Sequence, residues 1–454
     1  MTDLTVHTID TPSLGDRSYL VHDGEVALVI DPQRDIDRVL ALLERDGVRL
    51  THVFETHIHN DYVTGGLALA RATGAAYLVN AADDVAYERT PISDGEIIHV
   101  GERMRITALA TPGHTFTHLS YALADAESSV GVFTGGSLLY GATGRPDLLG
   151  HEHADTLARH QHASAHRLVD LLPSSTEVFP THGFGSFCSA TQSTSTESTL
   201  ADEVLRNPVL TSDEETYVRE LLDGLGAYPA YYAHMGPANA AGPEAADLSL
   251  PAVADADELR RRIDAGEWVV DLRTRTAFAA GHARGSLNFG IDGPFATYLG
   301  WLIEWGTPVT LLGESVEDVA TAQRELVRIG IDRPAAHATG GPEQWSEEPL
   351  ASFERATFAD LAQVRSHRAI TVVDVRRSDE YAADHIHGAV NIPLHDLVRR
   401  IGDVPGGEVW VHCAAGYRAS IGASVLSAAG VRVVAVDDSF DEALALGLTR
   451  TPAA

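Results

Sequence analysis

Apolar residues follow two rhythms along this chain. Short runs rich in β-branched and aromatic residues, YLVHDGEVALVID at 19–31, THVFET at 51–56, YLVN at 77–80, VGVFTGG at 130–136 and EVFPTHG at 177–183, predict strands. Between them, DRVLALLERDG at 37–47 and ADTLARHQHASAHRLVDLL at 154–172 have helical composition. Histidines gather in the turns that follow strands, so residues 1–235 read as one large α/β unit. The stretch 234–254 is rich in Gly, Pro and Ala, and 236–254 reads as a linker.

The pattern then repeats. WVVDLRTRTAFAAGHARGSLNFG at 268–290 aligns with TVVDVRRSDEYAADHIHGAVNIP at 371–393, displaced by 103 positions. Asp271, Arg273, His282, Gly285 and Asn288 thereby match Asp374, Arg376, His385, Gly388 and Asn391. Downstream, PVTLLGESVEDVATAQRELVRIG aligns with EVWVHCAAGYRASIGASVLSAAG. Two further α/β domains are expected, at 255–350 and 357–454.

Charge narrows the function classes. With 33 Lys and Arg against 64 Asp and Glu, the formal charge is −31 over 454 residues, which disfavours nucleic acid and anionic membrane as partners. The first residues carry no signal-like apolar run and no stretch of about 18 apolar residues occurs, so a cytoplasmic protein is expected. Cys188 and Cys413 are the two cysteines, too few for a disulfide framework.

Cys413 ends a β-rich run and precedes a helical segment, with Ala414, Ala415, Gly416 and Tyr417 between it and Arg418. Small residues let this loop curl, so its amides, the helix N-terminus and Arg418 are expected to favour a thiolate able to carry a sulfane sulfur. A phosphatase-type cradle is the competitor, but the loop is one residue shorter than that ring. Residues 357–454 resemble a rhodanese domain through VVDVRRSDEYAADHIHGAVNIP and CAAGYRAS. The resemblance implies that Cys413 is a covalent sulfur carrier, with Arg418 and the 414–417 backbone binding the anion, and Asp374 and Arg376 organising the core. In the earlier copy Gly313, Val316 and Asp318 stand where Cys413, Gly416 and Arg418 stand in the later one. Residues 255–350 therefore read as an inactive rhodanese-like domain, a spacer or docking surface.

In THIHND, the alternate residues His57, His59 and Asp61 can face one point, and TPGH and PTHG add His114 and His182. His162 and His166 stand a helical turn apart on a segment that reads as polar all round, a solvated face. THIHNDYVTGG, TPGHTFTHLSY, VFTGGSLLYGATGRPDLLG and PTHGFGSFCS resemble the metallo-β-lactamase fold, especially its glyoxalase II and persulfide dioxygenase branch. The whole chain then reads as an αββα sandwich followed by two α/β rhodanese-like domains. This α/β and α+β multidomain order is similar to the persulfide dioxygenase–rhodanese fusions of bacterial sulfide oxidation.

The resemblance carries over incompletely. It implies Fe(II) on His57, His114 and an aspartate, but Gly136 stands at the aspartate position and Tyr62 replaces the last motif histidine. Three outcomes stay open. His59 or Asp61 completes a site for Fe(II) or Zn; the domain holds no metal and only binds; or Tyr62 coordinates. The substitution Gly136→Asp is expected to raise iron content. Asp147 reads as a structural contact. Cys188 reads as an inert buried residue or as a persulfide-handling thiol at the pocket mouth. The leading expectation is a sulfurtransferase exchanging sulfur among thiosulfate, sulfite, small thiols and their persulfides, with homo-oligomers left open. Its alternatives are an active dioxygenase with a rearranged iron site, a persulfide sensor or scaffold, and a glyoxalase II-like thioester hydrolase.

Overall fold

The computed structural model describes residues 4–126, 128–191 and 195–450, in two compact units. The first unit, residues 1–246 with 327–330, contains two sheets. One has six strands that pair in chain order: Thr5–Thr11, Asp16–His22, Val26–Ile30, Arg49–Phe54, Ala76–Asn80 and Thr90–Ile92. The other has five, in the order Glu177–Pro180, Ser128–Gly135, Leu119–Asp125, Met104–Ala110 and Ile97–Val100.

Alternation along the strands explains the layering. Val21, Leu28, Ile30 and Phe54 of the first sheet pack against Ile106, Leu119, Tyr121 and Phe133 of the second, forming the inner core. Their neighbours Leu20, Val29 and Val53 point the other way, onto Val39, Leu43, Leu67 and Leu69 of the helices Asp37–Asp46 and Gly66–Thr73. On the far side Val132 and Val178 meet Ala158, Ala165 and Leu168 of the helix Ala154–Leu171. The result is an αββα sandwich with strand ends, and their histidines, at one edge.

Two expectations need correcting. The helix Ala154–Leu171 is not polar all round, because it buries Leu157, Ala158, Ala165 and Leu168. His162 and His166 are half-buried, with His166 Nδ1 2.9 Å from the His162 carbonyl. Residues 236–241, expected in a linker, complete the helix Tyr232–Ala241. Its composition hides the reason: Asn239 donates to the carbonyls of His59 and Tyr62, both at 2.8 Å, and accepts from Thr64 N–H, so tertiary bonds hold a helix that propensity would not.

The second unit, residues 247–326 and 331–454, contains two parallel sheets. Leu287–Asn288, Trp268–Asp271, Val309–Gly313 and Ala336–Thr339 form the first, and Glu354–Ala356, Arg432–Val436, Glu408–His412, Thr371–Asp374 and Val390–Asn391 the second. The repeat is written into their hydrogen bonds. Arg376 closes onto Asp374 and the Asp384 carbonyl, and Arg273 closes onto Asp271 and the Gly281 carbonyl. Asn391 and Asn288 each donate to the two carbonyls flanking that turn. The aligned residues are thus local staples rather than reactive groups.

Candidate active sites

In the first unit the reactive edge is built where strands end. The strand Arg49–Phe54 runs into the His57–Asp61 turn, and Asp31, just past Val26–Ile30, underpins it with φ of +50°. Asp31 accepts from Thr56 N–H at 2.7 Å, Thr56 Oγ1 at 2.8 Å and Thr181 Oγ1 at 2.5 Å. A backbone conformation that costs a non-glycine residue energy is held there by three hydrogen bonds.

The histidines converge, but not in the expected grouping. His57, His59 and His182 offer ligand atoms within 4.8 Å of one another; so do His114, His182 and Cys188, and so do Asp16, Asp61 and His182. His182 is common to all three. Each imidazole is oriented from behind: His57 Nδ1 lies 2.9 Å from Thr56 Oγ1, His114 Nδ1 2.9 Å from the Arg145 carbonyl, and His182 Nδ1 2.9 Å from Asp16. His57 and His182 then face each other through Nε2 atoms 3.5 Å apart.

Tyr62 does not face this centre. Its hydroxyl lies 3.0 Å from His59 Nε2 and donates to the Asp31 carbonyl, and its ring stacks on His59 at 4.3 Å. His59 Nε2 also lies 3.3 Å from Asp31 and 3.3 Å from Glu55. Burial opposes a charge on His59, yet these two carboxylates raise it to about 9. Burial likewise works against His182, which Asp61 and Asp16 raise to about 10. Burial, with His182 adding to it, pushes His114 down to about 3.

Gly136 carries more than a missing ligand. A Cβ placed there would lie 2.3 Å from His114 Cδ2, so the His114 ring occupies the space a side chain would need. The expectation that Gly136→Asp simply completes an iron triad overlooks this contact. Cys188 is fully buried, which agrees with the first of its two readings and not with a place at a pocket mouth, and burial, then Asp61, pushes its thiol well up. Asp147 is a structural contact, paired with Arg145 at 2.7 and 2.8 Å.

The donor set can be tested for a metal. His59 Nδ1, His114 Nε2 and both Asp61 oxygens are buried without a hydrogen-bond partner. Such groups are rare unless water or an ion satisfies them. The cluster therefore fits a divalent cation; Gly136, where the resemblance implies a carboxylate, supplies no side-chain ligand. Sequence reasoning missed Asp16, Asp31, Glu55 and His118; the last is buried, with Nε2 accepting from Gly136 N–H at 3.1 Å.

The second site lies in the other unit. Cys413 follows the strand Glu408–His412 and is 2% exposed. Gly416, at φ +89°, turns its N–H to Cys413 Sγ at 3.2 Å and starts the helix Tyr417–Ala428. Arg418 pairs with Glu380 through two bonds of 2.6 and 2.8 Å. The rim comes from the earlier repeat: Arg275 donates to Asp437 at 2.7 Å, and a Cβ on Gly416 would lie 3.1 Å from Arg275 Nε. Tyr417 donates to the Gly290 carbonyl at 2.7 Å and Ser420 to Asn288 at 2.8 Å. In the earlier copy the equivalent loop folds on itself, Ser315 N–H donating to Asp318 at 2.9 Å.

Comparison with known proteins agrees with this architecture. The metallo-beta-lactamase superfamily model matches residues 16–182, and the rhodanese-like domain model matches 255–348 and 357–445. Mitochondrial persulfide dioxygenase ETHE1 of Bos taurus is 31% identical over 210 residues, 44% of this chain and 74% of that protein. The chain belongs to the metallo-beta-lactamase superfamily. Two rhodanese-like domains lie in its C-terminal half. A hydroxyacylglutathione hydrolase of Cereibacter sphaeroides is 35% identical over 150 residues, 31% of this chain and 56% of the hydrolase, so the chain spans just over half its length. The crystal structure of a metallo-beta-lactamase from Staphylococcus aureus subsp. aureus COL superposes with a TM-score of 0.67 and 27% identity, covering 74% of this chain and 99% of that one. No helix among the described residues is long and apolar enough to cross a membrane.

Proposed function

We propose that the protein is a sulfurtransferase that carries sulfane sulfur on Cys413, joined to a domain that binds low-molecular-weight persulfides. The observation that carries this reading is the placement of Cys413 Sγ at a strand end, facing the Gly416 N–H at the start of a helix. The deprotonated sulfur attacks the outer sulfur of thiosulfate; the S–S bond breaks and sulfite leaves with its electron pair. A thiolate acceptor then attacks the outer sulfur of the Cys413 persulfide, forming a new persulfide and returning the Cys413 thiolate. No external oxidant is consumed in either half.

Kinship with proteins named for persulfide and glutathione-thioester chemistry supports a thiol-derived ligand for the first domain. A cation there, whether iron or zinc, would be held by one of the trios His57, His59 and His182 or His114, His182 and Cys188. A bound cation would supply a Lewis acid for a substrate sulfur. The residues themselves orient one another: Asp16 fixes His182, and Asp31 and Glu55 fix His59.

Incubating the full-length protein with thiosulfate should add the mass of one sulfur atom, and Cys413→Ser should abolish the adduct. An adduct that persists in the variant would overturn the assignment. Turnover with thiosulfate and a thiol acceptor separates a transferase from a protein that only becomes persulfidated.

A further inference from the structure

The geometry points to a divalent cation of the zinc class held by His114, His182 and the thiolate of Cys188, with Asp61 beside it. This goes beyond the sulfurtransferase reading and does not depend on it. The ligand atoms of the three residues lie within 4.8 Å of one another and all three side chains are buried. They come from separate turns: His114 from the loop between the strands Met104–Ala110 and Leu119–Asp125, and His182 and Cys188 from the segment after Glu177–Pro180.

Competing placements can be weighed on the groups left unsatisfied. His57, His59 and His182 form the alternative trio, and both trios need His182, so one ion cannot serve both. On the side of Cys188 the unsatisfied ring atom is His114 Nε2, while Asp61 pairs with His182 Nδ1 at 3.1 Å. On the other side the unsatisfied ring atom is His59 Nδ1. An ion beside Cys188 satisfies His114 Nε2 and, unlike one held by the other trio, gains a sulfur ligand.

The position of Gly136 is part of the same construction. With no side chain at 136, the His114 ring lies where a Cβ would be, its Nδ1 tied to the Arg145 carbonyl and its Nε2 left for the site. Loss of the aligned carboxylate and use of a thiolate change the donor set from hard to borderline-soft, which favours zinc over an iron held by two histidines and a carboxylate. A thiol that binds a cation does so as the thiolate. Three protein ligands leave one tetrahedral position open for a sulfur ligand.

The chain's two cysteines make the test specific. Full-length protein, stripped and reloaded with Co²⁺, should show a sulfur-to-cobalt charge-transfer band that persists in Cys413→Ser and is lost in Cys188→Ser. Cobalt binding without that band in the wild type, or no retained Co²⁺ or Zn²⁺ after dialysis, overturns the proposal. Should Cys188→Ser not fold, zinc-edge absorption of zinc-loaded Cys413→Ser protein decides: a sulfur neighbour at roughly 2.3 Å supports the site. A shell of nitrogen and oxygen alone refutes it. Neither readout involves sulfur transfer, so failure here leaves the Cys413 adduct experiment untouched, and the reverse also holds.

Discussion

Asp31 and Gly136 show how single residues set the histidine edge. Asp31 is fully buried and ties Thr56, Thr181 and His59 together from a left-handed backbone position. Removing its carboxylate leaves a buried cationic histidine and two hydroxyls poorly matched. Asp31→Ala should therefore destabilise the first unit by about 3–5 kcal/mol, read from urea denaturation. Unfolding unchanged to within error would mean that the His59–Asp31 contact carries no charge. Gly136 works through space: any side chain must push the His114 ring, which is anchored at the Arg145 carbonyl. Gly136→Ala should cost about 1–3 kcal/mol by overpacking and weaken retention of a bound cation, measured by thermal unfolding and metal analysis. A variant as stable as the wild type would show that His114 has room to move.

At the scale of elements, the Cys413 loop is positioned by the domain that lacks a nucleophile. Gly416 needs its positive φ and the space before Asp437, where a Cβ would lie 2.1 Å from Oδ1. Gly416→Ala should abolish sulfur loading while the strand Glu408–His412 and its sheet stay folded, measured by adduct mass and circular dichroism. Arg275 holds Asp437 from the earlier repeat. The ion pair is partly exposed, so Arg275→Ala should change stability by no more than about 1 kcal/mol yet slow loading of Cys413 severalfold. An unchanged loading rate would reduce the earlier repeat to a spacer. The repeat's own roles were legible in sequence because Asp374, Arg376 and Asn391 bond to one another across no more than 17 positions. The supports of the histidine edge were not, because Asp16, Asp31 and Glu55 meet only once strand order is known. Asn239 was hidden for a similar reason: its partners are 175 or more positions away, and its surroundings look like a linker.

For the whole molecule, the question is whether a chain of formal charge −31 can load an anion such as thiosulfate at a useful rate. Cations near Cys413 would offset the field if they were unpaired, but four arginines there face three carboxylates, which leaves about one positive charge. Arg418 pairs with Glu380, Arg275 and Arg355 both pair with Asp437, and Arg377 pairs with Asp379. Local charge is thus close to balanced, and the long-range field of the acidic surface should dominate the approach of the anion. Screening shortens that field from about 30 Å at 0.01 M salt to about 10 Å at 0.1 M. Loading of Cys413 by thiosulfate should therefore speed up with ionic strength, opposite to an electrostatically attracted substrate. Glu380→Gln leaves Arg418 uncompensated beside the loop, and should raise the rate at low salt and flatten or invert its salt dependence. Stopped-flow loading across that range, in wild type and Glu380→Gln, checks both statements. A wild-type rate that falls with salt would mean that the anion senses a net positive loop, and that Arg418 leaves Glu380 before sulfur is transferred.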